Sequence, residues 1–200
     1  MTRNGPDLLA ARVWPRSPQG APGIQIYAPT LIPGPLQVYG YREAVHAYPL
    51  ACECGHDESE MPRGIPVTIV LEESALRHRV GGNDVMAAQL DHVLGFFAGE
   101  SDVSVSVIPL HAARTTRQLP RKPFVIINRR EVVLPIAPVP VLLGDHDYVS
   151  RYSRRFDHLR QVAITGTTAY EYVARLLPPS TPDPLDDALE GKDLTCAVTA

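Results

Sequence analysis

With 200 residues, 44% of them hydrophobic, the chain can bury one sizeable core and is short enough for a single main domain. Its 19 Lys and Arg against 22 Asp and Glu give a net charge of -3, which argues against a broadly cationic surface that holds nucleic acid by phosphate neutralisation. No apolar run reaches the ~20 residues that span a bilayer or resembles a signal peptide, and three cysteines make no disulfide framework, so the expected compartment is the cytoplasm.

Residues 1–23 and 178–200 mix Pro, Gly and polar residues without apolar periodicity and are expected to be flexible tails around a domain at 24–177. Within it, Pro33, Gly34 and Pro35 force a turn, and the 34–47 segment is expected to form a helix or an ordered loop. "VTIVLEE" (67–73) reads as a strand, leading into a short helix "SALR". The 83–98 segment reads as the clearest helix, because Met86, Leu90, Val93, Leu94 and Phe97 recur with helical spacing. "VSVSVIPL" alternates, with Val103, Val105 and Val107 on one face and serines on the other, as a half-buried strand does.

Two β-rich runs flank Asn128-Arg129-Arg130 and predict a hairpin, and "VPVLL" supplies a further strand. In 147–164, Val149, Tyr152, Phe156, Leu159 and Ala163 form one stripe with arginines opposite, which predicts an amphipathic helix lying on the sheet; the arginine run "RYSRRFDHLR" could bind an anion or acidic partner but is read as a solvated face. Gly166 interrupts this pattern, and a last helix over 168–177 restarts it with Thr168 and Glu171 in capping-box spacing. The expected fold is α+β: an antiparallel or mixed sheet packed by three or four helices.

Five ordered stretches carry a resemblance: "YAPTLIPGPLQVYGYREA", "IVLEESALRHRVGGNDVMAAQLDHVL", "VSVIPL", "KPFVII" and "YVSRYSRRFDHLRQVAI". Together, over roughly 24–177, the chain resembles the effector-type C-terminal domain of unknown function that follows the XRE-type helix-turn-helix of actinobacterial, WhiJ-like or antitoxin-like regulators. The resemblance implies a sensing or partner-binding half, one that in such families often acts with small BldB-like or antitoxin-system partner proteins. Only 26 residues precede Tyr27, too few and too rich in Pro and Gly for a three-helix DNA reader, so a stand-alone effector domain is expected. Two departures stand out. "ACECGHDESEMPRG" occupies the place of the family's basic helix, and "VVLPIAPVP" stands where the family has a Tyr-x-Glu.

The first departure carries Cys52, Cys54 and His56, but C-x-C is tighter than structural zinc spacing and only Cys196 in the tail remains, so an acidic loop is expected and no metal or cofactor. Glu72 and Glu73 occupy the place of the family's Asp-Glu pair and should point to opposite sides. Each is read either as a cap on "SALR" or as a pocket-wall carboxylate with a raised pKa suited to proton transfer. Tyr27, Gln37 and Tyr41 surround the "LIPG" turn as core-edge or ligand-contacting groups, while His111, Arg114 and Arg117 lie in a loop that is either solvated or functional. His92 and His158 are read as helix-surface residues.

No nucleophile elbow, phosphate loop, G-x-G-x-x-G or H-E-x-x-H is present. Two functions follow. One is a regulator-derived module binding a small metabolite or a partner protein rather than DNA, with Tyr27, Gln37, Tyr41, His111 and Arg114 as ligand contacts. The other is a cofactor-independent cyclase, isomerase or lyase of specialised metabolism, with Glu73 or Glu72 as acid/base. Expected partners are a small-molecule ligand or substrate, a small BldB-like protein or a second copy in a homodimer, with neither nucleic acid nor membrane.

Overall fold

The computed structural model describes residues 23–46, 64–98, 102–135 and 140–178. The expected tails, apart from their inner residues 23 and 178, the "ACECGHDESE" stretch and Cys196 lie outside these residues, and so do the expectations attached to them.

The fold is α+β, built on one six-stranded mixed sheet of order β3-β2-β1-β4-β5-β6. Its strands are β1 (Ile24–Ala28), β2 (Val67–Glu72), β3 (Val103–Ile108), β4 (Phe124–Ile127), β5 (Glu131–Leu134) and β6 (Val141–Leu143). Strands β1, β2 and β3 run parallel to one another, whereas β1–β4, β4–β5 and β5–β6 pair antiparallel. The expected hairpin is the β4–β5 pair. Arg130 N–H closes its turn on Ile127 C=O at 2.9 Å, with Asn128 and Arg129 both at positive φ, the geometry whose twist suits tight hairpins.

The helices are α1 (Tyr39–His46), α2 (Glu73–Arg77), α3 (Asn83–Ala98), α4 (His146–Arg160) and α5 (Gly166–Ala174), with a 3₁₀ turn at Gly34–Leu36 and another at Thr116–Gln118. None of the described helices is long and apolar enough to cross a membrane.

Both sheet faces are covered, which explains why β2 is apolar almost throughout instead of alternating. Ile24, Ile26, Val67, Ile69, Leu71, Val105 and Val107 pack with Met86, Leu90, Val93 and Leu94 of α3 and Val173 of α5. On the opposite face, Tyr27, Val70, Phe124, Ile126 and Val132 meet Val149, Phe156 and Leu159 of α4. The predicted α4 stripe is therefore the buried one, with Tyr152 and Ala163 partly buried at its margin.

Three local expectations are corrected. Ser106 is buried, not solvated, because this face of β3 is also covered; its hydroxyl donates to Ile69 C=O at 3.1 Å. The last helix starts at Gly166, which sits at φ 56°, so Thr168 and Glu171 lie inside it and form no capping box. Ile164 fixes that earlier start, since it pairs with Val107 in an isolated antiparallel bridge as the chain passes from α4 to α5. The same bridge covers the outer edge of β3, a place where an unpaired strand would invite another chain.

Candidate functional site

Three parallel strands deliver their carboxyl ends to one side of the molecule, the usual place for a site in sheets of this kind. Tyr27 lies near the end of β1, Glu72 ends β2, and the 109–118 loop leaves β3. Glu72 is 1% exposed and fully engaged. Its Oε1 accepts from Tyr27 O–H at 2.8 Å and from Arg114 Nη1 at 2.8 Å, and its Oε2 accepts from Arg114 Nη2 at 2.7 Å.

This is a bidentate, charge-assisted pair, the strongest class of side-chain hydrogen bonding. Arg114 also donates to Pro109 C=O at 3.1 Å and Gln118 C=O at 3.4 Å, so the ion pair ties the loop to the sheet. Gln118 completes the anchor by donating to His158 C=O of α4 at 3.1 Å, and a reciprocal Thr115–Gln118 capping box holds the 3₁₀ turn. Burial pushes the Tyr27 hydroxyl well above the ordinary phenol range, and the Glu72 charge and hydrogen bond push it further. The hydrogen bonds to Glu72 raise the Arg114 guanidinium in turn.

Glu73, the first residue of α2 directly after the strand, reaches into a second cluster. It is 2% exposed; Arg77 donates to Oε1, and Oε2 accepts from Leu110 N–H at 2.7 Å and from Tyr172 O–H of α5 at 2.5 Å. Burial alone would raise this carboxyl, but the Leu110 amide, the Tyr172 hydroxyl and the Arg77 charge together hold it below the usual carboxylate range. Desolvation, then the hydrogen bond to Glu73, push Tyr172 up to about 12. His111 joins this cluster at its exposed side, with Nδ1 3.5 Å from the Tyr172 oxygen.

Neither glutamate caps α2 through its side chain: the Glu72 carboxylate is held by Tyr27 and Arg114, and that of Glu73 by Arg77 within the helix and by Leu110 and Tyr172 beyond it. Nor does Glu73 have the raised pKa expected of a pocket-wall acid.

The expected site residues thus separate into three places. Tyr27, Glu72 and Arg114 form one network, Glu73 and His111 belong to another, and Gln37 and Tyr41 sit at the "LIPG" turn. There, Gln37 Nε2 donates to Ile32 C=O at 2.7 Å and the Tyr41 hydroxyl accepts from Ile32 N–H at 3.3 Å. Tyr41 is wholly buried in the core with α3, while Tyr27 faces α4, so the two tyrosines share no cavity. Arg117 is exposed.

A cleft of about 680 Å³ opens beside the first network, lined by Arg121, Lys122, Phe124, Arg151, Tyr152 and Arg155. Its inner wall is aromatic. The Phe124 ring lies 5.3 Å from that of Tyr27 and meets Tyr152 edge to face at 5.0 Å. The sequence reading missed this wall and the Arg121–Lys122 side of the cleft. The available signal was the i, i+4 spacing of Arg151 and Arg155 about Tyr152, weighed there as a place for an anion or acidic partner but read as a solvated face, and the basic pair inside "LPRKP".

Residues 18–175 match the family described as "Domain of unknown function (DUF5753)". The chain belongs to that family. This agrees with the resemblance to an uncharacterised domain over nearly the whole core. No curated protein matches the chain.

Proposed function

We propose that this member of the family is a small-molecule-binding module whose site is the cleft between α4 and the 121–124 segment. The observation that carries this reading is the contrast between the buried carboxylates and the cleft. Both oxygens of Glu72 and of Glu73 are already occupied by donors, and Glu73 is held ionised. A general acid or base must reach the proton it moves, and neither buried glutamate has an unoccupied oxygen to offer.

The cleft, by contrast, is concave, of a size typical of ligand sites, and combines an apolar wall with polar groups. The resemblance to effector halves of helix-turn-helix regulators supports sensing as the purpose of binding.

The enzyme reading keeps one specific observation in its favour: the Tyr172 hydroxyl bridges Glu73 and the exposed His111. One experiment separates the two. The purified chain is incubated with an extract of its source organism, and the bound and free small molecules are compared by mass spectrometry. The binding reading expects a compound retained unchanged and released by Tyr152→Ala. A compound consumed by the wild type but not by Tyr172→Phe would establish the enzyme instead.

A further inference from the structure

We propose that the cleft takes a small organic phosphate, its phosphoryl group held by Arg121, Arg151 and Arg155 and its apolar part packed on Tyr152 and Phe124. This inference rests on the ligand-binding reading above and names the ligand's chemistry.

Four of the six lining residues are cationic and none is acidic. Two come from successive turns of one face of α4, where Arg151 and Arg155 stand four residues apart, and two from the proline-bounded segment entering β4. Arg155 fixes the two walls relative to each other by donating from Nη2 to Leu119 C=O at 2.6 Å. The concentration is not a by-product of composition, since the chain as a whole carries a net charge of -3.

Elsewhere in the described residues, Arg77 and Arg114 are each matched by a buried glutamate, whereas no described carboxylate pairs with Arg121, Lys122 or Arg151. The cations of the cleft also disfavour one another: burial and then the neighbouring Arg121 charge hold the Arg155 guanidinium below its ordinary value. An anion between them removes that repulsion.

Phosphate suits the arrangement better than a single carboxylate. A phosphate monoester carries about -1.5 to -2 charge at neutral pH and three acceptor oxygens, and guanidinium forks match its geometry. The cleft has room for more than an inorganic ion, and the half-buried Tyr152 ring, set edge-on against Phe124, offers an apolar surface within reach of the arginines.

The test is calorimetric titration of the full chain with phenyl phosphate, inorganic phosphate, phenol, an acidic peptide and a short DNA duplex. Phenyl phosphate is expected to bind one per chain, more tightly than inorganic phosphate. Arg121→Ala and Arg151→Ala, both at exposed positions, are each expected to weaken it roughly tenfold, since a hydrogen bond to a charged group contributes about that factor. Tyr152→Ala is expected to bring phenyl phosphate down to the affinity of inorganic phosphate.

Phenol binding that Tyr152→Ala abolishes, with no phosphate binding, would overturn the phosphate assignment while leaving the ligand-binding reading intact. Equal affinity for inorganic and phenyl phosphate would overturn the organic half. Tight binding of the peptide or the duplex, with phenyl phosphate inert, would make the cleft a macromolecular surface. Silence from every probe would overturn the proposal, and the extract experiment would then decide the reading beneath it.

Discussion

Arg114→Ala is the most demanding perturbation of the structure, because it leaves Glu72 buried at 1% exposure with Tyr27 O–H as its one remaining described donor. The lost contacts are two charge-assisted hydrogen bonds of 2.8 and 2.7 Å and the links to Pro109 and Gln118 C=O. Breaking a buried ion pair by removing one partner costs about 3–5 kcal/mol, most of it from the uncompensated charge left behind. For a chain of this size each kcal/mol moves Tm by roughly 2–4 °C, so a drop of about 6–20 °C is expected.

Urea denaturation monitored by far-UV circular dichroism measures the free energy directly. Adding Glu72→Gln to Arg114→Ala should recover at least about 1 kcal/mol, since a neutral amide needs no cation. A single Arg114→Ala variant within about 0.5 kcal/mol of wild type, the range of ordinary surface substitutions, would refute the view that this pair is desolvated and ties the loop to the sheet.

The remaining predictions concern the core, the backbone and pH. Phe156→Ala removes a fully buried ring packed on Phe124 and should cost about 3–5 kcal/mol in the same denaturation assay. Gly23→Ala should cost more than about 1 kcal/mol, because Gly23 has φ 78° and a Cβ there would lie 2.4 Å from the Pro66 carbonyl oxygen. Gly95→Ala, on an exposed turn of α3 with open space around the new methyl, should instead stabilise by about 0.5–1 kcal/mol.

Glu73 has a folded pKa below its unfolded value of 4.5, so its contribution to stability is full above that value and is lost as pH falls through the folded one. Glu73→Gln should flatten the acid limb of a stability profile measured by urea midpoints. For Tyr172 the sign is reversed: its contribution is complete below the unfolded value of 10.0 and is lost as pH rises through about 12, a loss that Tyr172→Phe should remove.

Periodicity made the framework legible. The α3 stripe from Met86 to Leu94 and the α4 stripe from Val149 to Leu159 are the faces that pack the sheet, and the polar Asn128-Arg129-Arg130 break marks the hairpin turn. Burial on both faces of the sheet was harder to read, and it is why the alternating serines of β3 suggested a solvated face that Ser106 does not have.

The site was legible only as a set of residue types. Glu72 meets Arg114 across 42 positions and Glu73 meets Tyr172 across 99, and no local pattern encodes contacts at such separations. For Arg151 and Arg155 a solvated face was favoured over an anion or acidic partner, because helical spacing separates the apolar stripe from everything else but does not say what lies beside the polar face. The 119–123 segment, held by Arg155 against α4, turns that face into the wall of a cleft.

The most direct test of the cleft as the binding site is two-dimensional amide NMR of the isotope-labelled chain during titration with phenyl phosphate. The account predicts saturable shifts concentrated at Arg121, Lys122, Phe124 and residues 151–155, with Leu110, His111 and Tyr172 unmoved. Shifts centred on the Glu73–Tyr172–His111 cluster, or none at the cleft residues, would contradict it.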